Sequence, residues 1–432
     1  MQSRITLSRV AGSISLVTIE TSRRSLIALT VFSREGIQYR PGPRRKETSP
    51  PPISAAISGG NAQGRFGANE NVWGRILVAL DVEGLIAWLD DRADRHEFSG
   101  VATAWMAGRP VFFHAAGVAH RGLGVQMRDD NRFRVASITK MITATAVMRL
   151  VERGELGLGT PVVDVLDSDA RPASVTSAMT VHHLLSHTSG LANYHDEDDE
   201  TFDGYIASWD VVPPHRAREP EDLLPLFAHK SAHFAPGSSF SYGDVNYIVL
   251  GMILGAVTSS TFRLVTTEEV LIPAGMSSSG FDDLDADPPD LAVGYQSSGA
   301  PAALWPTNAY ANPVGGMPDG GLITTATDLC RFIDAFRSGR LVTEETKATM
   351  LTSRGRINDD LEHYGYGMEM WIDERGEVRI FGHAGGDPGV SGIVSHFVDG
   401  ETTIVVLCNY DRGSWTVSRQ LTEVLGVDEP RK

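Results

Sequence analysis

Between Lys140 and Arg149 the chain runs MITATAVM without a single charge, inside the longer stretch FRVASITKMITATAVMRLVERG from Phe133 to Gly154. Ile138, Met141, Ile142 and Met148 recur at helical spacing, and Thr145 falls in the same row. Gly154 is a plausible stop, with Arg149 and Arg153 in the last turns, where the helix dipole favours cations. A helix without a charged face is buried on most sides. The fold has to be built around it, and a lysine in its first turn then calls for an explanation.

Ser137 and Lys140 are three residues apart, so on a helix they share a face. Ser137 falls at the helix N-terminus, where free backbone N–H groups favour developing negative charge. A lysine held in apolar surroundings has its ammonium form destabilised, and it can take a proton from a serine hydroxyl. Ser137-Ile138-Thr139-Lys140 is thus a candidate nucleophile and base. Read in isolation, the same residues also fit a serine near a helix start and a lysine reaching out to solvent.

The formal net charge of −16 argues against a nucleic-acid partner. That charge is uneven. Residues 1–75 hold 11 Lys and Arg against 4 Asp and Glu, formally +7, which leaves −23 for the remainder. Within 1–75, the stretch 41–52 is rich in Pro and Arg, and 58–71 in Gly and Asn. Neither can bury enough apolar surface to offset the entropy of ordering, so a disordered basic extension is expected there. No run reaches the ~18 apolar residues of a membrane span. Ser22 to Phe32 faintly resembles a twin-arginine export signal. Its apolar part is short and no small-residue cleavage site follows, so a cytoplasmic chain is favoured over an exported one. Cys330 and Cys408 read as two core thiols rather than a disulfide framework.

The folded part is expected over 76–432. Leu85, Trp88 and Leu89 mark an amphipathic helix from about Val82 to His96, and 98–119 reads as a hairpin around Gly108-Arg109-Pro110. From 151 to about 290 the pattern is short helices and loops, with TVHHLLSHTSGL (180–191) as one helix and an apolar, buried one over 245–258. The acids between His195 and Asp203 read as a solvated loop. After 290 strand character returns. Thr327 or Thr325 caps a helix running to Arg337, and 366–372 and 378–381 are strand-like. Residues 392–398 and 402–407 form a hairpin around Asp399-Gly400, and 414–425 is a last helix. The order is strands, helices, then strands and a helix. It predicts an α+β fold: one antiparallel sheet built from both chain ends (about 76–150 and 291–432), flanked by helices, with an inserted helical region (151–290).

A serine–lysine pair needs a proton shuttle and an oxyanion hole. Tyr242-Gly243-Asp244 sits where a loop enters the 245–258 helix, which could put the Tyr242 hydroxyl into a cleft; an ordinary half-buried tyrosine is the alternative. His383-Ala384-Gly385-Gly386 follows a strand. His383 could orient a substrate carboxylate or carbonyl, and the Gly386 N–H could join that of Ser137 in an oxyanion hole; a surface turn is the alternative. His183 and His187 have the i, i+4 spacing of zinc proteases, but Leu184-Leu185-Ser186 lies between them where the motif needs a glutamate, so no metal is assigned. No Gly-x-Ser-x-Gly elbow of an α/β-hydrolase is present.

Ser-x-x-Lys opening a buried helix, Tyr-x-Asp in the helical middle and His-x-Gly on a strand near the end resemble the serine β-lactamase and penicillin-binding protein superfamily. The nearest branch is its class C side, with D-alanyl-D-alanine carboxypeptidases, D-aminopeptidases and lactamase-like esterases. The resemblance spans about 82–425 and rests on FRVASITKMITA, VHHLLSHTSGL, FSYGDVNYIVLG, GGLITTATDL and GHAGGDPGVSG. It implies a hydrolase that forms an acyl-enzyme on a small-molecule ester, amide or peptide, with no metal or organic cofactor. Ser137 would be acylated, Lys140 would be its base, Tyr242 would relay protons, and Gly385 and Gly386 would line the oxyanion strand. Asp244 replaces the usual Asn of Tyr-x-Asn, which places a negative charge where an amide normally meets the acyl side chain. His383 replaces the Lys that binds a β-lactam carboxylate. Both departures favour an esterase or a peptidase-like hydrolase over an efficient lactamase. A penicillin-binding or scaffold protein without deacylation is the non-enzymatic alternative.

Overall fold

The computed structural model describes residues 4–10, 14–21, 24–31, 81–195, 203–297, 301–357 and 362–427. The chain divides into two units, Met1–Ala68 and Asn69–Lys432. In the first, β1 (Arg4–Val10), β2 (Ile14–Thr21) and β3 (Arg24–Val31) form an antiparallel meander. These three strands fall within 1–75, where Ile, Leu, Val and Thr supply strand propensity. The Pro/Arg-rich and Gly/Asn-rich stretches lie outside the described residues.

The second unit carries the predicted sheet. Helix α1 (Val82–Asp94), capped by the Asp81 carboxylate, leads into β4 (Gly100–Met106) and β5 (Arg109–Ala116). The late strands are β6 (Gly355–Arg356), β7 (Glu362–Tyr364), β8 (Glu369–Ile372), β9 (Val378–Asp387), β10 (Val390–Phe397) and β11 (Thr402–Cys408). Their order is β6-β7-β8-β9-β10-β11-β4-β5, antiparallel throughout. The two chain ends meet where β11 pairs with β4, Cys408 opposite Gly100 and Thr402 opposite Met106.

Both faces of this sheet are covered, and side-chain alternation divides the strand residues between two cores. Ala102, Ala104, Ile404, Val406 and Cys408 pack with α1 and with α5 (Ser414–Leu425). Val101, Val405 and Leu407 face the larger core. That core contains α2 (Thr139–Glu152), α3 (Val245–Thr258) and α4 (Ala326–Arg337, capped by Thr325). This two-sided burial explains why β11 reads TTIVVLC rather than as an apolar–polar alternation. In α2 every residue from Thr139 to Met148 is buried, as its uncharged run requires. Both cysteines are free and buried.

Two elements differ from the sequence reading. The helix expected over 180–191 stops at Leu185, and His187 stands beyond its cap in the left-handed region at φ +54°. His183 and His187 therefore do not share a helical face, which removes the geometry of the zinc-protease spacing. The His183 Nδ1 instead takes the Thr180 N–H at 3.1 Å, closing the helix start. The strand expected from Tyr366 begins at Glu369, because Gly367 adopts φ +71° within the preceding turn.

Candidate active site

A short 3₁₀ turn, Ala136–Ile138, precedes α2 and presents Ser137 half-buried at the helix N-terminus. Ala136 holds φ +47°, a left-handed conformation unusual for a residue with a Cβ. Strain of this kind costs about 1–3 kcal/mol and concentrates at working sites. The turn is wedged between two supports. On one side, Val135 N–H bonds the Leu322 carbonyl at 3.2 Å, and Phe133-Arg134 pairs with Ile323-Thr324. On the other, β9 passes so close that a Cβ on Gly385 would stand 2.3 Å from the Val135 carbonyl oxygen. Gly385 is the residue that lets the sheet edge meet the Ser137 turn.

Lys140 is fully buried. It donates to Ser137 Oγ at 2.7 Å, to Asp244 Oδ1 at 2.6 Å and to the Asp319 carbonyl at 3.2 Å. Asp244 begins α3, and its other oxygen lies 3.0 Å from His195 Nε2 and 3.5 Å from the Tyr194 hydroxyl. Burial alone would raise the Asp244 carboxyl, but the Lys140 ammonium, followed by His195, holds it well below the ordinary carboxylate range. The structure gives the Asp244 carboxylate a role beside the substrate contact expected of it: it is the counter-ion of Lys140, and it also lines the cleft in front of Ser137. The apolar surroundings expected for Lys140 are corrected, since a buried ammonium needs such a partner. Tyr242, half-buried, sets its ring 5.0 Å from Lys140 Nζ and lies tilted against the His187 ring, centroids 4.4 Å apart.

His383 lies inside β9 rather than after it, only 2% exposed. Its Nε2 is 3.2 Å from the Tyr364 hydroxyl, and its Nδ1 donates to the Ala384 carbonyl at 2.5 Å beside Glu369 at 3.2 Å. Burial, then the Lys140 charge, pushes its pKa down to about 3, so the ring is neutral at pH 7. The sequence reading assigns His383 to substrate; its nitrogens are instead occupied by protein, and its ring packs 6.2 Å from that of Tyr242. Burial and then Glu362 raise Glu369 to about 8. Gly386, next along β9, is exposed.

In front of Ser137 lies a small cleft walled by Arg134, Tyr205, Asp244, Asp319, Gly320 and Asp387. Arg134, Asp319, Asp387 and His195 escaped the sequence reading. Asp319 directly precedes the quoted GGLITTATDL run and Asp387 stands inside GHAGGDPGVSG, where a carboxylate among glycines was the available signal. His195 had none, because only the fold brings it to Asp244.

The Beta-lactamase family model matches residues 85–426. Penicillin-binding protein 4* of Bacillus subtilis (strain 168) is 25% identical over 331 residues, covering 73% of this chain and 69% of that protein. Esterase EstB of Burkholderia gladioli is 32% identical over 300 residues, 62% of this chain and 74% of that one. The crystal structure of a penicillin binding protein from Bacillus halodurans matches with a TM-score of 0.72 and 31% identity, over 79% of this chain and 99% of the other. The chain belongs to the Beta-lactamase family, a family of hydrolases that act on ester and amide bonds.

Proposed function

We propose that this hydrolase works through an acyl-enzyme on Ser137. The observation that carries the reading is the 2.7 Å contact between Ser137 Oγ and the fully buried Lys140 ammonium, with Asp244 behind it. In the reactive form Lys140 has passed one ammonium proton to the Asp244 carboxylate 2.6 Å away; as the neutral amine, with Tyr242 beside it as proton relay, it takes the Ser137 proton, and the alkoxide attacks the substrate carbonyl. The N–H groups of Ser137 and Gly386 hold the resulting oxyanion, with Gly385 keeping β9 close enough to do so. The leaving group departs with a proton through Tyr242, and water then releases the acid by the same steps in reverse order. No step calls for a metal or organic cofactor. Among acyl compounds the reading favours esters and simple amides over β-lactams. His383 is neutral and held by Tyr364 and Ala384, so it supplies no cation to a β-lactam carboxylate.

The test is Ser137→Ala with p-nitrophenyl butyrate as substrate. Turnover should fall by at least about 10⁴-fold, the scale seen when an acyl-enzyme nucleophile is removed, with circular dichroism and melting unchanged. A variant that keeps its activity overturns the assignment.

A further inference from the structure

The cleft beside Ser137 has more acid than base. Asp244, Asp319 and Asp387 line it, with Arg134 in the same wall and Lys140 behind Asp244. Asp244 is consumed by Lys140 and His195. Asp387 faces Arg134 at a loose 3.9 Å, while Arg134 also donates to the Pro313 carbonyl at 3.2 Å. Asp319 is left over. It is 6% exposed, and its Oδ1 is buried without a hydrogen-bond partner among the described residues. An orphaned buried carboxyl oxygen costs free energy unless a ligand completes it.

The position of Asp319 is fixed by the catalytic helix. Thr143 Oγ1 donates to the Pro318 carbonyl at 2.6 Å, Lys140 Nζ donates to the Asp319 carbonyl, and the Leu322 N–H bonds Thr139 Oγ1 at 3.1 Å. The Lys140 ammonium that touches Ser137 Oγ thus also anchors the Asp319 backbone. The carboxyl is built into the wall of the cleft that Ser137 also lines.

We propose that this cleft selects acyl groups that carry a primary ammonium near the carbonyl, held by Asp319 with Asp387 opposite. This rests on the reading of Ser137 as the nucleophile. An acyl group without a hydrogen-bond donor leaves the Asp319 oxygen unpaired, whereas an ammonium supplies both donor and charge. In the empty site burial, then the Asp244 charge, raises Asp319 to about 8, against the attraction of Lys140, so it is mostly protonated at pH 7. Arrival of an ammonium favours the carboxylate, and the Asp319 proton leaves to solvent.

Binding can be measured apart from catalysis in the Ser137→Ala protein, by calorimetry with alaninamide and with isobutyramide, which has a methyl in place of the ammonium. Alaninamide should bind at least tenfold tighter and release up to one proton per molecule at pH 7, and its affinity should rise between pH 6 and pH 8. Adding Asp319→Asn should remove the preference and the proton release; Asp387→Asn should reduce the preference, and serves if the first variant fails to fold. Equal affinity for the two amides, tighter binding of succinamate, or tighter binding of calcium than of alaninamide overturns the inference. Turnover lost from wild-type protein on both alanine and isobutyric p-nitrophenyl esters would instead overturn the acyl-enzyme reading, and the binding preference would survive it.

Discussion

Replacing Asp244 by Asn keeps the shape of the side chain and removes its charge, leaving the Lys140 ammonium buried without the partner now 2.6 Å away. Breaking a buried pair by removing one member costs about 3–5 kcal/mol when the remaining charge stays. The other outcome is that Lys140 sheds its proton in the variant. At pH 7 that costs about 1.4 kcal/mol for each unit below the ordinary lysine value near 10.4, or about 4–5 kcal/mol. Both routes predict a loss of several kcal/mol, and pH separates them. A lysine whose folded pKa has fallen below its unfolded one makes the variant recover as pH rises, by about 1.4 kcal/mol per unit. In the wild type the folded Asp244 pKa is depressed, so its contribution is present above the ordinary carboxylate value and is lost as pH falls through the folded one. Urea denaturation of both proteins at pH 7 and pH 9 reads this directly. If Asp244→Asn matches the wild type within about 0.5 kcal/mol at pH 7, the usual size of a neutral surface change, the ion pair is not what stabilises Lys140.

Two further outcomes follow from single contacts. Gly385→Ala places a Cβ 2.3 Å from the Val135 carbonyl, so β9 and the Ser137 turn must separate. kcat/KM should fall by about 10²-fold or more, and stability by about 1–3 kcal/mol; an active variant would mean that β9 does not set the oxyanion geometry. His396 is buried and donates to or accepts from Thr403 Oγ1, and burial, then the Arg337 charge, lowers it to about 4. Its folded pKa lies below the unfolded one, so stability drops as pH falls from about 6.5 to 4, by up to about 3 kcal/mol. His396→Gln should flatten that limb of the stability–pH curve, and an unchanged slope would contradict a buried neutral ring.

The fold was largely legible because its signals are local. The uncharged run of α2, the apolar run of α3 and the turn at Asp399-Gly400 each dictate one element. That one sheet is built from both chain ends followed from the order of elements; the pairing of β11 with β4 that joins them came from the structure. The site was legible only as a set of motifs. Ser137 and Lys140 sit three residues apart, so their contact is a property of one helix. Asp244 could be named but not placed, since its partner lies 104 residues earlier in the chain. His383 was read as a substrate contact because a histidine before glycines after a strand can face a ligand, whereas its nitrogens lie against Tyr364, Ala384 and Glu369. The left-handed cap at His187 left no pattern in a stretch otherwise helical in composition. Asp319 acquires meaning only through the missing partner of one oxygen, which no sequence spells out.

The most direct measurement is the intact mass of the protein after incubation with a p-nitrophenyl ester and, separately, with a penicillin, followed by peptide mapping. The account predicts ester turnover well beyond one equivalent, through an acyl adduct that maps to Ser137. The penicillin should give little or no turnover. Ester turnover with no adduct on Ser137, or an adduct on another residue, would contradict it.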